Sequence, residues 1–451
     1  MGNLSTRFFK SRLVTTITNI WKIEDLRSRI LTTLLFVLIY RLGSHIVLPG
    51  IDQSQLGELS KQTSTGLMAL LDMFSGGAFS KASIFALGIM PYISASIVIQ
   101  LLSIAVPSFQ KMQKEGESGR KKITQYTRYL TVLILLFQGP SYLVNLSIQM
   151  RGAMPIDWWF KISSTIILCG GSMFVMWLGE RITDKGIGNG ISFIILVGII
   201  ARFPSAVIQE FAFSLSNAGG GLIMFLMEIV CLLVVIAASV LLVQGIRKVP
   251  VQYAKRIVGN KQFGGARQYI PLKVNAAGVM PIIFAQAIMF IPLSVAPLLS
   301  SSKANVLNTI MTHDGVWYNL VFAVMIILFT YFYTAITINP TQMAEDMKRN
   351  GGFIPGIKPG KKTAEYLDEI MSRIVFPGSL FLAFIAILPA IARFFGVNQH
   401  FAQFFGGTSL LILVGVVLDT LQQIESHLLM RHYDGLLKSG RIKGRSGNIS
   451  S

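Results

Sequence analysis

The stretch "LIMFLMEIVCLLVVIAASVLLV", Leu222 to Val243, decides the fold class, because Glu228 is its only charge and no helix breaker interrupts it. A helix rises about 1.5 Å per residue, so a run of this length covers roughly the 30 Å of a bilayer's hydrocarbon. Lipid offers the backbone no hydrogen-bond partners, so a crossing chain must be helical or part of a closed barrel. Barrel strands alternate apolar and polar residues over about ten positions; this run does not alternate. Nine further runs of the same kind lie at about 30–48, 84–106, 126–146, 162–178, 187–203, 276–299, 316–338, 374–395 and 408–430. The expectation is an all-α integral membrane protein with ten transmembrane helices. Composition agrees: 451 residues with 52% hydrophobic and 14% charged content and a mean hydropathy of +0.59 lie outside the range of soluble chains.

The formal net charge of +19 would suggest nucleic acid in a soluble protein, so its distribution matters. Basic residues gather in the N-terminal arm, after the second, sixth and eighth runs, and in the tail, while the intervening connections are nearly charge-free. By the positive-inside rule this places both termini in the cytoplasm.

Two of the basic connections, 244–275 and 339–374, are longer than loops within a bundle usually are. The first interleaves basic, aromatic and β-branched residues and reads as a β-hairpin or extended arm turning at Gly264-Gly265. Such a surface suits RNA, an acidic protein face or lipid headgroups. The second contains Gly356, Gly360 and Lys361 but fails the spacing of a phosphate loop and has Pro359 where N–H groups should point, so direct nucleotide binding is not expected.

Catalytic and metal constellations are thin. The five histidines are scattered, and Cys169 and Cys231 lie in different runs, reading as buried thiols. No enzyme, cofactor or metal site is expected. Ionisable residues inside the runs point to ion or substrate pathways, and the reading finds Arg41, His45, Arg128, Glu228 and Asp419, of which only Asp419 is deep.

In "MFSGGAFSKASIFALGIMPYISASIVIQLL", Met73 to Leu102, Gly76-Gly77 and then Gly88 with Pro91 break the chain around a segment too short to cross. Irregular backbone survives at membrane depth only when buried in protein or lining water. The segment is therefore either a re-entrant half-helix or a loop lying on the membrane.

Together with "KEGESGRKKITQYTRY", "MWLGERITDKGIGNGISF", "PLKVNAAGVMPIIFA", "NPTQMAEDMKRNGGFIPGIKPG" and "FGGTSLLILVGVVLD", this stretch resembles the SecY family, the central subunits of bacterial protein-conducting translocons. The resemblance implies two pseudo-symmetric inverted five-helix halves around a pore. Residues 1–25 would be a cytoplasmic arm, 26–203 the first half with a plug helix at about 72–83, 204–220 an external hinge loop, 221–432 the second half and 433–451 a cytoplasmic tail. It implies a constriction at Ile89, Ile93, Ile191, Ile195, Ile283 and Ile412, and a plug at Ser75, Gly76, Gly77, Ala78, Phe79, Ser80, Lys81 and Ala82. A ring without polar atoms dewets and gives ions nothing in place of their hydration shell, while flexible methyl groups close around a passing chain.

The resemblance further implies a lateral gate at Ser94, Gln138 and Asn275. Three interhelical hydrogen bonds at about 0.6 kcal/mol hold such a seam by roughly 2 kcal/mol. About ten leucine-like residues offer approximately −5 kcal/mol in lipid, so apolar segments leave sideways. Lys255, Arg256, Lys261, Arg267, Lys348, Arg349 and Lys358 would meet a motor or ribosome. Implied partners are SecE, SecG, the SecA motor, the ribosome, signal sequences and translocating polypeptides, in the bacterial inner membrane. Lys358 stands where the family usually has Arg, losing a planar fork, and Asn260 and Lys261 stand where it often has paired arginines. The competing class is a secondary transporter or flippase, which would need several polar groups at the midplane.

Overall fold

The structure, a computed structural model, describes residues 21, 23–51, 72–149, 157–216, 221–253, 256–258, 261–263, 267–295 and 315–438. Each of the ten apolar runs carries a helix. In chain order these are α1 (Glu24–Gly43), α2 (Met90–Ala105), α4 (Glu117–Gln149), α5 (Trp158–Lys185), α6 (Gly190–Leu215), α7 (Gly221–Gln244), α8 (Met280–Val295), α9 (Val316–Thr337), α11 (Lys361–Phe394) and α13 (Gly407–Lys438). Three shorter helices intervene: α3 (Pro107–Lys114), α10 (Pro340–Arg349) and α12 (Gln399–Ala402). Among the described residues seven helices are long and apolar enough to cross a membrane. The bent pair formed by α2 and α3 would make an eighth. The chain is a multi-pass helical membrane protein, and the exposure of Leu222, Ile223, Leu226, Met227, Val230, Leu233 and Val234 on α7 fits a helix facing lipid.

The helices pack in a pattern that repeats. In the first five, α1 meets α5 and α6, α2 meets α4, α4 meets α5, and α5 meets α6. In the second five, α7 meets α11 and α13, α8 meets α9, α9 meets α11, and α11 meets α13. Every pair in the first set recurs five helices later. The two sets touch along two seams: α2 against α8, and α6 against α13 with α7 and α12 packed beside α6.

The two long basic connections fold together. Strand β1 (Ile246–Tyr253) pairs antiparallel with β4 (Arg267–Lys273), from Ile246 opposite Lys273 to Gln252 opposite Arg267. On its other edge β1 pairs with β5 (Gly352–Phe353) of the second connection. Between β1 and β4, a smaller hairpin joins β2 (Arg256–Val258) to β3 (Lys261–Phe263), with Val258 opposite Lys261. The expected turn at Gly264-Gly265 lies outside the described residues. Val249, Val251 and Leu272 of the sheet bury against Met347, Ile354, Leu367, Met371 and Val375, forming a satellite core separate from the membrane bundle.

Three expected boundaries shift. Residues 204–215 of the supposed hinge loop continue α6, with Pro204 inside the helix. The loop 339–374 contains α10, which Asn339 caps by accepting from the Thr341 and Gln342 amides, and the first turns of α11. The tail is helical as far as Lys438. A fourth difference concerns the plug: the helix ends at Phe74 and residues 75–82 are successive turns. Gly76 and Gly77 adopt φ of +65° and +91°, left-handed values that a right-handed helix cannot contain.

Candidate functional site

Local sequence places the isoleucines. Asn189 caps α6, its Oδ1 accepting from the Ile191 and Ser192 amides, so Ile191 sits in the first turn and Ile195 one turn later on the same face. Pro91 in the first turn of α2 starts that helix directly after Ile89, and Ile93 follows one turn on, its amide donating to the Ile89 carbonyl. Ile89, Ile93, Ile195 and Ile412 are buried, and Ile191 and Ile283 pack against the same central cluster. Five of them lie on α2, α6, α8 and α13, the four helices that form the two seams, and Ile89 directly precedes α2.

Cavities open on either side. Toward the basic connections, one of about 290 Å³ is lined by Asn189, Ser192, Asn275, Ile283, Leu411 and Asp419. Toward the opposite ends of α1 and α6, another of about 450 Å³ is lined by Arg41, Gly76, Lys81, Arg202, Gln209 and His400. Ile283 lines the first cavity, which is mainly apolar, whereas the second is mainly polar. Asp419, which the sequence places deep, is exposed on the wall of the first chamber. Cys231 is exposed and Cys169 half-buried, so neither is the buried thiol expected.

Residues 75–82 lie beside the start of α2, with Ser75 in contact range of Gly88, next to Ile89. All but Lys81 are buried. The Tyr40 hydroxyl donates to the Ser75 carbonyl at 3.0 Å, Arg41 to the Gly76 carbonyl at 2.9 Å and the Tyr142 hydroxyl to the Phe79 carbonyl at 2.9 Å. Asp72 accepts from the Ser80 amide at 2.7 Å and pairs with Arg202 of α6. Phe79 stacks edge-on against Tyr142 at 4.8 Å. Sequence reasoning missed Tyr40, Asp72, Tyr142 and Arg202. Arg202 lies inside the apolar run 187–203, where an unexplained charge is itself a signal.

The gate residues are dispersed. Ser94 on α2 and Gln138 on α4 are half-buried on packed helices, and Asn275 precedes α8. No hydrogen bond joins the three among the described residues, and the Asn275 Oδ1 is buried without a partner. Beside them, Arg128 of α4 holds Glu180 of α5 through two hydrogen bonds, at 3.2 and 2.6 Å. In the basic connections Lys348 and Arg349 end α10 and Lys358 follows β5, all three exposed. Arg256, Lys261 and Arg267 stand on strands, and Lys255 lies outside the described residues. Between α11 and α13, burial and the nearby Arg202 pull the His400 imidazole below its ordinary value.

The SecY family model matches residues 83–421. The "Protein translocase subunit SecY" of Streptomyces galbus is 42% identical over 444 residues, covering 94% of this chain and 100% of that protein. Its namesake from Thermotoga maritima is 40% identical over 440 residues, covering 95% and 98%. A solved structure described as "The structure of a protein conducting channel" matches with a TM-score of 0.60 at 18% identity, over 89% of this chain and 92% of that one. Canine Sec61, in a ribosome-channel complex from the endoplasmic reticulum, matches with a TM-score of 0.57 at 18% identity over the same shares. A helical membrane bundle with these relatives defines a protein-conducting channel rather than an enzyme. The chain belongs to the SecY family. Its function is to pass polypeptides across a membrane.

Proposed function

We propose that this chain is the central pore of a bacterial translocon, passing unfolded secretory polypeptides through the isoleucine neck and releasing apolar segments sideways between α2 and α8. One observation carries this reading: all six isoleucines stand on the four seam helices or, for Ile89, at the start of one, so parting the halves widens the neck and opens a path to lipid together. The repeated packing of the helix pairs supports ten membrane helices in two halves. A repeat of odd helix number inverts the second copy in the membrane. Residues 75–82 serve as the plug, here as a string of turns. Basic connections on the even side put the sheet and both termini in the cytoplasm of a bacterial inner membrane.

The sheet joining β4, β1 and β5 is the docking platform, for it pairs strands from both basic connections over one apolar cluster. Lys255, Arg256, Lys261 and Arg267 on one arm, and Lys348, Arg349 and Lys358 on the other, present positive charge to an acidic or RNA surface. The partners are SecA or the ribosome as the driving machine, with SecE and SecG as small subunits. To test the neck, cysteines replacing Ile89 or Ile283 are crosslinked to a translocating chain stalled by a folded domain. Crosslinks at both positions, absent from outward-facing controls on α7, are expected. Crosslinking at neither position refutes the neck, and transport of a small solute without a motor would favour a carrier.

A further inference from the structure

We propose that the second cavity, of about 450 Å³, binds one phosphate group, as the free ion or as a lipid headgroup. This does not depend on the gate or plug assignments. Basic side chains reach the cavity from four parts of the chain: Arg41 from the end of α1, Lys81 from the turns at 75–82, Arg202 from α6 and His400 from α12. They stand close enough to feel one another. Arg41 repels both Lys81 and Arg202, and Arg202 repels a charged His400. Asp72 offsets the charge of Arg202, while Arg41 and Lys81 make no ion pair among the described residues. No carboxylate lines the cavity among those residues either.

The two glycines bring the guanidiniums together. Arg41 donates to the Gly76 carbonyl at 2.9 Å, and a Cβ on Gly76 would lie 2.9 Å from its Nη1. A Cβ on Gly77 would lie 3.5 Å from Arg202 Nη2. Two guanidiniums thus meet at one dipeptide, where a side chain on Gly76 would displace Arg41.

Like charges gathered in a cleft with low-dielectric walls concentrate counter-ions. A guanidinium offers a planar fork that matches two phosphate oxygens, and an ammonium adds a point charge. The cavity far exceeds the 10–15 Å³ or so that one water-sized guest requires, which leaves room for a polyatomic ion. A bound phosphate would link Lys81 on the 75–82 turns to Arg41 on α1 and Arg202 on α6. It would add to the hold that Tyr40, Arg41 and Tyr142 already have on carbonyls of that segment.

The test uses the purified full chain with its small subunits. In detergent, equilibrium dialysis against labelled inorganic phosphate is expected to show a single saturable site, and no saturable uptake overturns the proposal. Lys81 is exposed, so Lys81→Gln spares the packing of 75–82 and should raise the half-saturating concentration about tenfold, the loss of one charge-assisted contact. Lys161→Gln, exposed at the start of α5, removes the same charge elsewhere and should bind as the natural chain does. Unchanged binding by Lys81→Gln, or equal weakening in both variants, overturns the assignment. If Lys81→Gln does not fold, dialysis of the natural chain decides alone. The source is read in lipid discs: uptake in phosphatidylcholine and phosphatidylglycerol discs alike supports the free ion, and uptake blocked by phosphatidylglycerol alone supports a headgroup in the same site.

Discussion

Gly198 offers the sharpest test of the seal. It faces the turn that leads into residues 75–82, the proposed plug, and a Cβ there would lie 2.9 Å from the Phe74 carbonyl oxygen, 3.1 Å from the Gly76 nitrogen and 3.2 Å from the Met73 carbonyl oxygen. All three are backbone atoms, so no rotamer change relieves the contact and the 73–76 segment must move. Overpacking of this kind costs about 1–3 kcal/mol, and the cost falls on the plug's resting position. Helix α6 itself gains up to about 1 kcal/mol from replacing Gly by Ala. The control is Gly170→Ala on α5, where no atom lies within 4 Å of the added carbon and the helix gain is the same. A penalty of about 1–3 kcal/mol on the closed arrangement multiplies the open population by about 5 to 150. The assay is potassium efflux from proteoliposomes carrying each variant with its small subunits, without motor or substrate. Gly198→Ala is expected to leak at least about fivefold faster than the natural chain, with Gly170→Ala unchanged. If Gly198→Ala keeps its Tm and leaks no faster than the control, residues 75–82 do not seal the neck.

Three further outcomes follow from the same geometry. Asn275→Leu removes a buried carbonyl oxygen that has no partner in this closed arrangement, a relief of about 1–3 kcal/mol. Export of weakly hydrophobic signal sequences should fall about tenfold while strongly hydrophobic ones pass, and an unchanged threshold in a signal-series assay would remove Asn275 from the gate. Val251→Asp places a carboxylate in the satellite core, where Val251 is 1% exposed, and should unfold the sheet. Cosedimentation with SecA or ribosomes should then be lost while the membrane helices retain their circular dichroism; intact binding would free the platform of that role. The depressed His400 pKa means that the unfolded chain takes up its proton first as pH falls, so stability is full above the imidazole's ordinary range and declines below it. His400→Gln should flatten that acid-side decline in Tm, and an unaltered slope would mean another group titrates.

Much of the fold was legible because lipid imposes a simple rule on sequence: a long uncharged run must be a helix. All ten runs carry one. The failures came where that rule is silent. Residues 204–215 looked polar enough to be a loop, yet a helix can project beyond the bilayer, and α6 does so through Pro204. Gly76 and Gly77 marked the right break, but no periodicity distinguishes a string of turns from a short helix there. The pairing of β1 with β5 joins segments about a hundred residues apart, and strand partners at that distance leave no local trace. The six isoleucines were legible only as a set; singly, each is an ordinary apolar residue. Tyr40 and Tyr142 stayed hidden because their contacts are to the Ser75 and Phe79 carbonyl oxygens, and a carbonyl is the same at every position.

The repeated packing raises the question of why one seam opens rather than both. Exchanging the halves maps the α2–α8 seam onto itself and the α6–α13 seam onto itself, so symmetry does not choose between them. Connectivity does. The halves are joined by the chain between Leu215 and Gly221, which links α6 to α7, and α7 packs against both α6 and α13. Separating α6 from α13 must therefore strain a short covalent tether and break the contacts that α7 makes with both. Separating α2 from α8 strains no connection, because neighbours along the chain such as α2 and α4 move as one half. The single covalent link from α6 to α7 thus turns a nearly symmetric pair of halves into a clamp with one mouth. The prediction is directional: a disulfide fixing α2 to α8 should block insertion of apolar segments, whereas one fixing α6 to α13 should leave it largely intact. Equal inhibition by the two would mean that the halves part along both seams, and the clamp would have to be abandoned.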